Sequence, residues 1–194
     1  MILYVDACVR GDSRTKRLAD CLLHVLNAPC THLRLSDCAF PAVDEAFLEQ
    51  RDRLLREERF ADPLFDCARQ FAAADEIVIA APFWDLSFPA TLKVYLEQIN
   101  AVGITFRYTP EGVPEGLCQA QRLWYVTTAG GDFFPEQFGF GYVEALARSF
   151  YGIPDVRLVK AVGLDLVGAP VEEILRASER DIARSFRTAS LPTP

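Results

Sequence analysis

Residues Glu76–Pro89 read EIVIAAPFWDLSFP and carry the strongest structural signal in this sequence. The apolar run from Ile77 to Ala81 is short and rich in β-branched residues, which is typical of a strand buried on both faces. Pro82 ends this strand because proline has no N–H group to donate to a neighbouring strand. After an aromatic loop, Pro89 stands where the first turn of a helix tolerates proline. The segment therefore predicts a strand, a loop and a helix, which together form half of a repeating α/β unit.

The same alternation of strands and helices continues on both sides of this segment. Short apolar runs predict strands at residues 2–5, 31–35, 77–81, 123–127 and 156–162. Helical periodicity predicts helices at residues 14–26, 43–59, 63–74, 90–99, 141–151 and 170–187. Strands that alternate with helices form a doubly wound parallel sheet, for which we expect five strands in the order 2-1-3-4-5 with helices on both faces. Such sheets bind ligands outside the carboxyl ends of their strands.

The composition limits the classes of protein to which the chain can belong. Its 194 residues, 51% of them hydrophobic, predict one domain over residues 1–194 with a full core. A net charge of −7 argues against nucleic acid, whose binding needs a basic face. No apolar run approaches the roughly 18 residues that span a bilayer, and the first residues do not form a secretory signal. We therefore expect a cytoplasmic protein that does not enter a membrane.

The six cysteines do not follow the spacing of a metal site. None are paired at two-residue spacing, and the chain has only two histidines, which excludes the usual zinc and iron–sulfur motifs. Without a secretory signal, reduced thiols are the expected state. The sequence thus predicts no metal.

The loop after the first predicted strand has the features of an anion site. Ser13 is a natural N-cap for the helix that follows, and Arg10, Arg14 and Thr15 stand beside it. The free N–H groups and the dipole of a helix N-terminus attract negative charge. Because the dinucleotide and nucleotide-triphosphate glycine motifs are missing, the pattern favours a mononucleotide phosphate.

Two further loops follow strands at the same predicted edge of the sheet. Pro82–Leu86 contains two large aromatic residues, and Thr128–Asp132 contains two glycines that allow main-chain N–H groups to approach a planar ligand. Each loop also has an ordinary interpretation, as a hydrophobic plug and as a simple turn. Three loops that meet at one switch point favour a ligand site.

Residues 102–118 form a long segment rich in glycine and proline, which predicts a functional loop. Its apolar residues alternate at Ile104, Phe106 and Tyr108. This spacing predicts an exposed patch that a second subunit covers.

At these residues the chain resembles the flavodoxin-like NAD(P)H-dependent FMN oxidoreductases, which include FMN-dependent NADH-azoreductases and NAD(P)H quinone reductases. The resemblance extends from the first strand to about residue 164. It is carried by PFWDLSFPATLK at residues 82–93, GITFRYT at residues 103–109 and PEGL at residues 114–117.

The resemblance implies a homodimer with two FMN molecules at its interface. The implied ligands of the phosphate are Arg10, Ser13, Arg14 and Thr15. The implied loop along the flavin ring, whose main-chain N–H groups face N5 and O4, is Pro82, Phe83, Trp84, Asp85 and Leu86. The implied loop at the pyrimidine side is Thr128, Ala129, Gly130 and Gly131. The implied substrate pocket is formed by Trp84, Phe106, Phe133 and Tyr108, the last contributed by the partner subunit.

The sequence departs from the pattern of this family at three positions. Ala7 stands where a serine is common, a loss for which Arg10 compensates. Asp85 replaces a frequent asparagine, and its ionised carboxylate cannot donate a hydrogen bond. Ala129 stands where azoreductases often have arginine. These changes bear on the substrate and the flavin potential more than on flavin binding.

The implied reaction is a ping-pong transfer of hydride from NADH or NADPH through flavin N5 to a quinone, azo or nitro compound. No side chain has to act as an acid or a base, so no catalytic residue is predicted. Two other functions remain open at this stage. One is an FMN-binding electron carrier or redox sensor without turnover of small substrates, and the other is a flavin-free interaction protein.

Overall fold

The computed structural model of the chain describes residues 1–187. Five parallel strands form the main sheet in the order β2-β1-β3-β6-β7, which confirms the predicted order 2-1-3-4-5. These strands are β1 Ile2–Asp6, β2 Cys30–Arg34, β3 Glu76–Ala80, β6 Arg122–Thr128 and β7 Asp155–Ala161. Each begins and ends within a residue or two of the apolar run that predicted it. The end of the predicted domain, residues 188–194, lies outside the described residues.

Helices cover both faces of this sheet, as predicted. They are α1 Arg14–Leu26, α2 Glu45–Arg56, α3 Asp66–Ala72, α4 Ala90–Ile99, α5 Phe140–Leu146 and α6 Val171–Arg187. The start of α2 is later than predicted because the Asp44 side chain accepts a hydrogen bond from the Phe47 N–H at 2.9 Å and caps the helix there. The predicted helix at 141–151 begins as α5 and ends in a wider turn over Ala147–Tyr151.

The alternation of side chains along the strands divides the core into two clusters. Leu3, Ile77 and Leu123 face α3, α4 and α5 on one side of the sheet. Tyr4 and Val78, with their neighbours on β6, face α1 and α6 on the other. Because β1, β3 and β6 are covered on both sides, their sequences are continuously apolar.

Residues 102–118, predicted as a loop, contain a short antiparallel hairpin of β4 Phe106–Tyr108 and β5 Pro114–Gly116. The prediction of an exposed patch is wrong for two of its three residues. Ile104 and Phe106 are only 9% and 5% exposed, whereas Tyr108 is 52% exposed. The Phe106 ring lies 4.8 Å from that of Phe150, so it belongs to the core of its own chain.

Among residues 1–187, no helix combines the length and the apolar character that crossing a bilayer requires. The six cysteines are all unpaired.

Candidate cofactor site

A cavity of about 390 Å³ lies at the carboxyl ends of β1, β3 and β6. The loops after all three of these strands line it, and the loop after β7 contributes one residue. The lining residues are Val9, Arg10, Asp12, Ser13, Arg14, Thr15, Pro82, Phe83, Trp84, Thr128, Gly130 and Asp165. A wider depression of about 850 Å³ lies on α2 and the turn before it, where no strand end contributes. The cavity at the strand ends is therefore the candidate site.

The N-terminus of α1 points into this cavity with its cap in place. Ser13 Oγ accepts a hydrogen bond from the Lys16 N–H at 3.3 Å, as the sequence predicts. The Thr15 hydroxyl is fully buried and lies 2.7 Å from the Thr128 hydroxyl. This bond joins the first turn of α1 to the carboxyl end of β6 at the lining of the cavity.

A buried carboxylate fixes the start of the loop after β1. Asp6 is 1% exposed and accepts a hydrogen bond from the Cys8 N–H at 2.8 Å. Its second oxygen lies 3.2 Å from His32 Nε2, which supplies a further polar partner. Burial raises the pKa of the Cys8 thiol to about 12, so this thiol is protonated at neutral pH.

The two arginines of this loop differ in what they contact. Arg14 donates to the Leu164 carbonyl at 3.0 Å and to the Asp165 carboxylate at 2.8 Å. Arg10 is exposed on the cavity and forms no ion pair with any of residues 1–187. Arg10 is therefore the arginine of the cavity whose charge is not already neutralised.

Main-chain hydrogen bonds connect the glycine loop, Thr128–Gly131, to the loop after β7. The carbonyls of Ala129, Gly130 and Gly131 accept hydrogen bonds from Leu164, Asp165 and Gly163 at 3.2, 2.8 and 2.8 Å. In a trans peptide, the C=O of one residue and the N–H of the next point in opposite directions. The N–H groups of Gly130, Gly131 and Asp132 are therefore directed away from the loop that holds the carbonyls. They donate to no main-chain acceptor within residues 1–187.

The aromatic loop closes in a tight two-residue turn. Trp84 and Ser87 exchange main-chain hydrogen bonds of 3.1 and 2.7 Å. Asp85 and Leu86 at the tip both have left-handed φ angles, of 48° and 64°. Positive φ angles at both positions are typical of a type I′ turn, which suits two-residue hairpins. This conformation is strained for a leucine.

The hydrogen bonds of this turn correct one expectation. The amide of Phe83 donates to the Thr128 carbonyl at 3.0 Å and that of Trp84 to Ser87, so neither is free to face a flavin. The amides of Asp85 and Leu86 donate to no main-chain acceptor among the described residues. The donors that this loop can offer a ligand are thus limited to its tip.

Comparison with known families matches residues 1–186 to the family described as having a flavodoxin-like fold. The chain belongs to this family. It is 34% identical over 181 residues to an FMN-dependent NADH:quinone oxidoreductase of Clostridium perfringens strain ATCC 13124, a match that covers 89% of this chain and 90% of the relative. A protein of the same name from Clostridium beijerinckii is 32% identical over 197 residues, with 95% and 98% covered.

Solved structures of related proteins show the same fold. An azoreductase from Bacillus anthracis strain Sterne superimposes with a TM-score of 0.83 at 24% identity, over 96% of this chain and 98% of that one. An FMN-dependent NADH-azoreductase from the Ames Ancestor strain, solved in complex with FMN, gives a TM-score of 0.80 at 20% identity, over 98% and 99%. The flavodoxin-like fold predicted from the sequence is confirmed.

Most of the residues predicted to bind the cofactor meet at the cavity of this flavodoxin-like chain. Those that line it are Arg10, Ser13, Arg14, Thr15, Pro82, Phe83, Trp84, Thr128 and Gly130. Ala129 does not line it, because it is buried and its amide bonds to Ala161. Asp85 and Leu86 line a shallow depression next to Ser87 and Phe138 instead, and Gly131 is also outside the lining.

The predicted substrate pocket is assembled only in part within one chain. Trp84 lines the cavity and is 40% exposed. Phe106 is buried against Phe150, so its assignment to the pocket is contradicted by the packing of its own chain. Tyr108 and Phe133 are 52% and 71% exposed but do not line the cavity.

Sequence reasoning missed three lining residues, namely Val9, Asp12 and Asp165. Asp165 follows the fifth strand of the sheet, and the rule that ligands bind at carboxyl ends applies to that loop as well. The same rule, extended to the last strand, would have found it.

Proposed function

We propose that this chain is an FMN-dependent oxidoreductase that takes hydride from NADH or NADPH and reduces a quinone, azo or nitro compound. The observation that carries the proposal is the single cavity into which a helix N-terminus, an aromatic turn and a glycine loop all open. The relatives named FMN-dependent NADH:quinone oxidoreductases support the cofactor, the donor and the acceptor.

The polar groups of the cavity fit the two ends of FMN. The capped N-terminus of α1 offers free N–H groups, and Ser13 and Arg10 stand beside it to hold a phosphate. The Thr15 hydroxyl is bonded to Thr128, so it connects the phosphate end of the site to the glycine loop. Gly130 brings main-chain N–H groups to the opposite end, where the pyrimidine edge of the flavin would lie.

When bound, FMN supplies the acceptance and release of hydride at N5, and the protein supplies position and electrostatics. The N–H group of Gly130, which lines the cavity, would stabilise negative charge at the pyrimidine edge, as oxyanion donors do in other enzymes. Trp84, half-exposed at the cavity, supplies an apolar wall against which a flat nicotinamide and then a flat acceptor can stack.

The decisive experiment is the absorption spectrum of the purified protein, followed by anaerobic reduction with NADH and with NADPH. We expect flavin bands that bleach on reduction and recover on addition of menadione, with catalytic turnover. Bound FMN without turnover would instead identify an electron carrier or redox sensor. Protein without flavin bands, even after FMN is added, would contradict the proposal and favour a flavin-free interaction protein.

The phosphate end of the site has its own test. Ser13→Ala combined with Thr15→Ala should weaken FMN binding more than riboflavin binding, because only FMN carries the phosphate. Ser36→Ala, which removes an exposed hydroxyl outside the lining of the cavity, is the matched control. An unchanged FMN affinity in the double variant would show that the phosphate binds elsewhere.

We also propose a homodimer with the flavin sites at its interface. The support is an apolar surface beside the cavity, where Trp84, Leu86 and Phe138 are 40%, 47% and 51% exposed. Such a surface is typical of a protein contact. Sedimentation equilibrium should give twice the chain mass, and Leu86→Lys should shift the protein towards the monomer. A monomer in the unsubstituted protein would refute this part.

The six unpaired cysteines support a reducing, cytoplasmic location, which cell fractionation would test.

A further inference from the structure

We propose that Arg14 and Asp165 act as a positioning pair that holds the glycine loop, and that Arg14 is not a ligand of the phosphate. This inference rests on the proposed flavin site and assigns within it a role that neither the sequence pattern nor the names of relatives indicate. The pair joins the first turn of α1 to the loop after β7, and both of its members line the cavity.

The first observation is the way in which the Arg14 guanidinium is held. One nitrogen donates to the Leu164 carbonyl at 3.0 Å, and another donates to Asp165 Oδ1 at 2.8 Å. Two bonds in different directions fix the plane of the guanidinium, which a single surface ion pair does not do. The charge of Arg14 is thus directed at the loop after β7.

The second observation is that Asp165 contacts Gly130 in two ways. The Asp165 N–H donates to the Gly130 carbonyl at 2.8 Å. The Asp165 carboxylate lies against the Gly130 Cα, so that a Cβ at this position would stand 2.1 Å from Oδ2. Asp165 therefore contacts Gly130 through its main chain and its side chain, and only glycine leaves room for both.

The consequence concerns the direction of the N–H groups on the glycine loop. As long as Asp165 and Leu164 hold the carbonyls of Gly130 and Ala129, the following N–H groups face away from them. Arg14 holds the Asp165 carboxylate and the Leu164 carbonyl at the same time. Loss of either member of the pair should allow the glycine loop to move and weaken its contacts with the pyrimidine end of the flavin.

The charge of the cavity agrees with this division of roles. Arg14 is neutralised by Asp165, whereas Arg10 has no ion-pair partner among residues 1–187. We therefore assign the phosphate to Arg10 and the placement of the glycine loop to Arg14.

The test compares the affinities of the apoprotein for FMN and for riboflavin, which lacks the phosphate. Arg14→Gln and Asp165→Asn should each weaken both ligands to the same extent, by about fivefold to tenfold, so that the ratio of the two affinities stays constant. The double variant should bind no more weakly than either single variant. The midpoint potential of the bound flavin should shift in the same direction in both, an effect that mere loss of stability does not produce.

Two matched variants distinguish loss of a phosphate contact from loss of the position of the glycine loop. Arg10→Gln should weaken FMN and leave riboflavin unchanged. Arg17→Gln removes an arginine from the same helix that pairs with Glu172 and Glu179 on α6, away from the cavity, and should change neither affinity.

The inference is overturned if Arg14→Gln weakens FMN alone, or if Asp165→Asn leaves FMN binding unchanged or tighter. Asp165→Asn alters a side chain that is 66% exposed, so it serves as the test if Arg14→Gln does not fold. Failure of the unsubstituted protein to bind either flavin would refute the proposed function itself. That outcome differs from one in which the unsubstituted protein binds flavin but the Arg14 or Asp165 variant does not show the expected loss of affinity.

Discussion

The hydroxyl oxygens of Thr15 and Thr128 lie 2.7 Å apart in the interior, at the ends of two different loops of the cofactor cavity. Both residues are buried, at 0% and 8% exposure. The bond fixes the distance between the first turn of α1 and the glycine loop. In the proposed site, the first turn of α1 would contact the phosphate and the glycine loop would contact the pyrimidine edge of the same ligand.

Removing both of these hydroxyls should cost less than the sum of the costs of removing each one alone. Thr15→Val or Thr128→Val leaves the other hydroxyl buried without a partner, and we expect each to lower the free energy of unfolding by about 1–2 kcal/mol. The double variant should lose less than the sum, because no unpaired polar group remains. Urea unfolding of the four proteins measures this cycle, and strict additivity would contradict the bond.

Gly130→Ala tests the contact with Asp165 from the opposite side. The new Cβ would meet Asp165 Oδ2 at 2.1 Å, and the carboxylate must rotate away from Arg14. Because only the end of a side chain has to move, we expect the fold to be retained and flavin affinity to fall about fivefold, as for the loss of one hydrogen bond. Circular dichroism and flavin titration measure the two effects. A Gly130→Ala protein that binds flavin normally would show that the contact has no role.

The network between α1 and α6 predicts an acid-sensitive part of the stability. Hydrogen bonds from Arg17 hold the pKa of the Glu172 carboxyl at about 2, below its usual 4.5. A carboxyl with a lowered pKa stabilises the fold above its usual pKa and loses this contribution as the pH falls towards about 2. Arg17→Gln should therefore be less stable than the unsubstituted protein at pH 7.

The difference between the two proteins should shrink as the solution is acidified, and it should be small because these groups are exposed and screened by salt. Urea unfolding at low ionic strength over this range of pH measures it. A difference that stays constant on acidification would show that Arg17 acts through packing alone.

The cysteines should differ in their reactivity. Cys8 is 2% exposed, and burial raises the pKa of its thiol to about 12, whereas Cys30 is exposed. Because the thiolate is the reactive form, iodoacetamide at pH 8 should label Cys30 well before Cys8. Mass spectrometry of the native protein measures the order, and the same reaction in urea should label both. Equal labelling in the native protein would contradict the burial of Cys8.

Gly116→Ala should be the most damaging of the glycine substitutions. An added Cβ on Gly116 would stand 2.2 Å from the main chain of Tyr151 and Gly152, where no flexible side chain can yield. We expect a loss of roughly 3 kcal/mol in the free energy of unfolding, as for an overpacked core. Gly11→Ala, which meets nothing within 4 Å, is the control in the same urea titration.

The sheet was predictable because its evidence is local. The runs at β1, β3 and β6 are continuously apolar, and covering by helices on both faces requires that pattern. The hairpin of β4 and β5 was not predictable in this way. Its strands have only three residues each and contain Pro114 and Gly116, so their sequence has the composition of a loop.

The site was predictable as a set of loops but not as a set of contacts. The rule of carboxyl ends predicted that Ser13, Trp84 and Gly130 lie close together, and all three line the cavity. It could not show that Phe83 and Trp84 use their amides within the chain, because hydrogen-bond partners depend on the packed structure. Nor could the spacing of Phe106 reveal its burial, since its partner Phe150 is distant in the sequence.

Arg14 and Asp165 are separated by 151 positions in the chain, yet they touch at one corner of the cavity. A ribosome therefore synthesises the 151 positions from Arg14 to Asp165 before this corner can form. In the proposed site, the placement of the glycine loop is therefore completed only after Asp165 has been synthesised. A product truncated before Asp165 would carry the phosphate loop of the proposed site but lack the pair that positions its glycine loop.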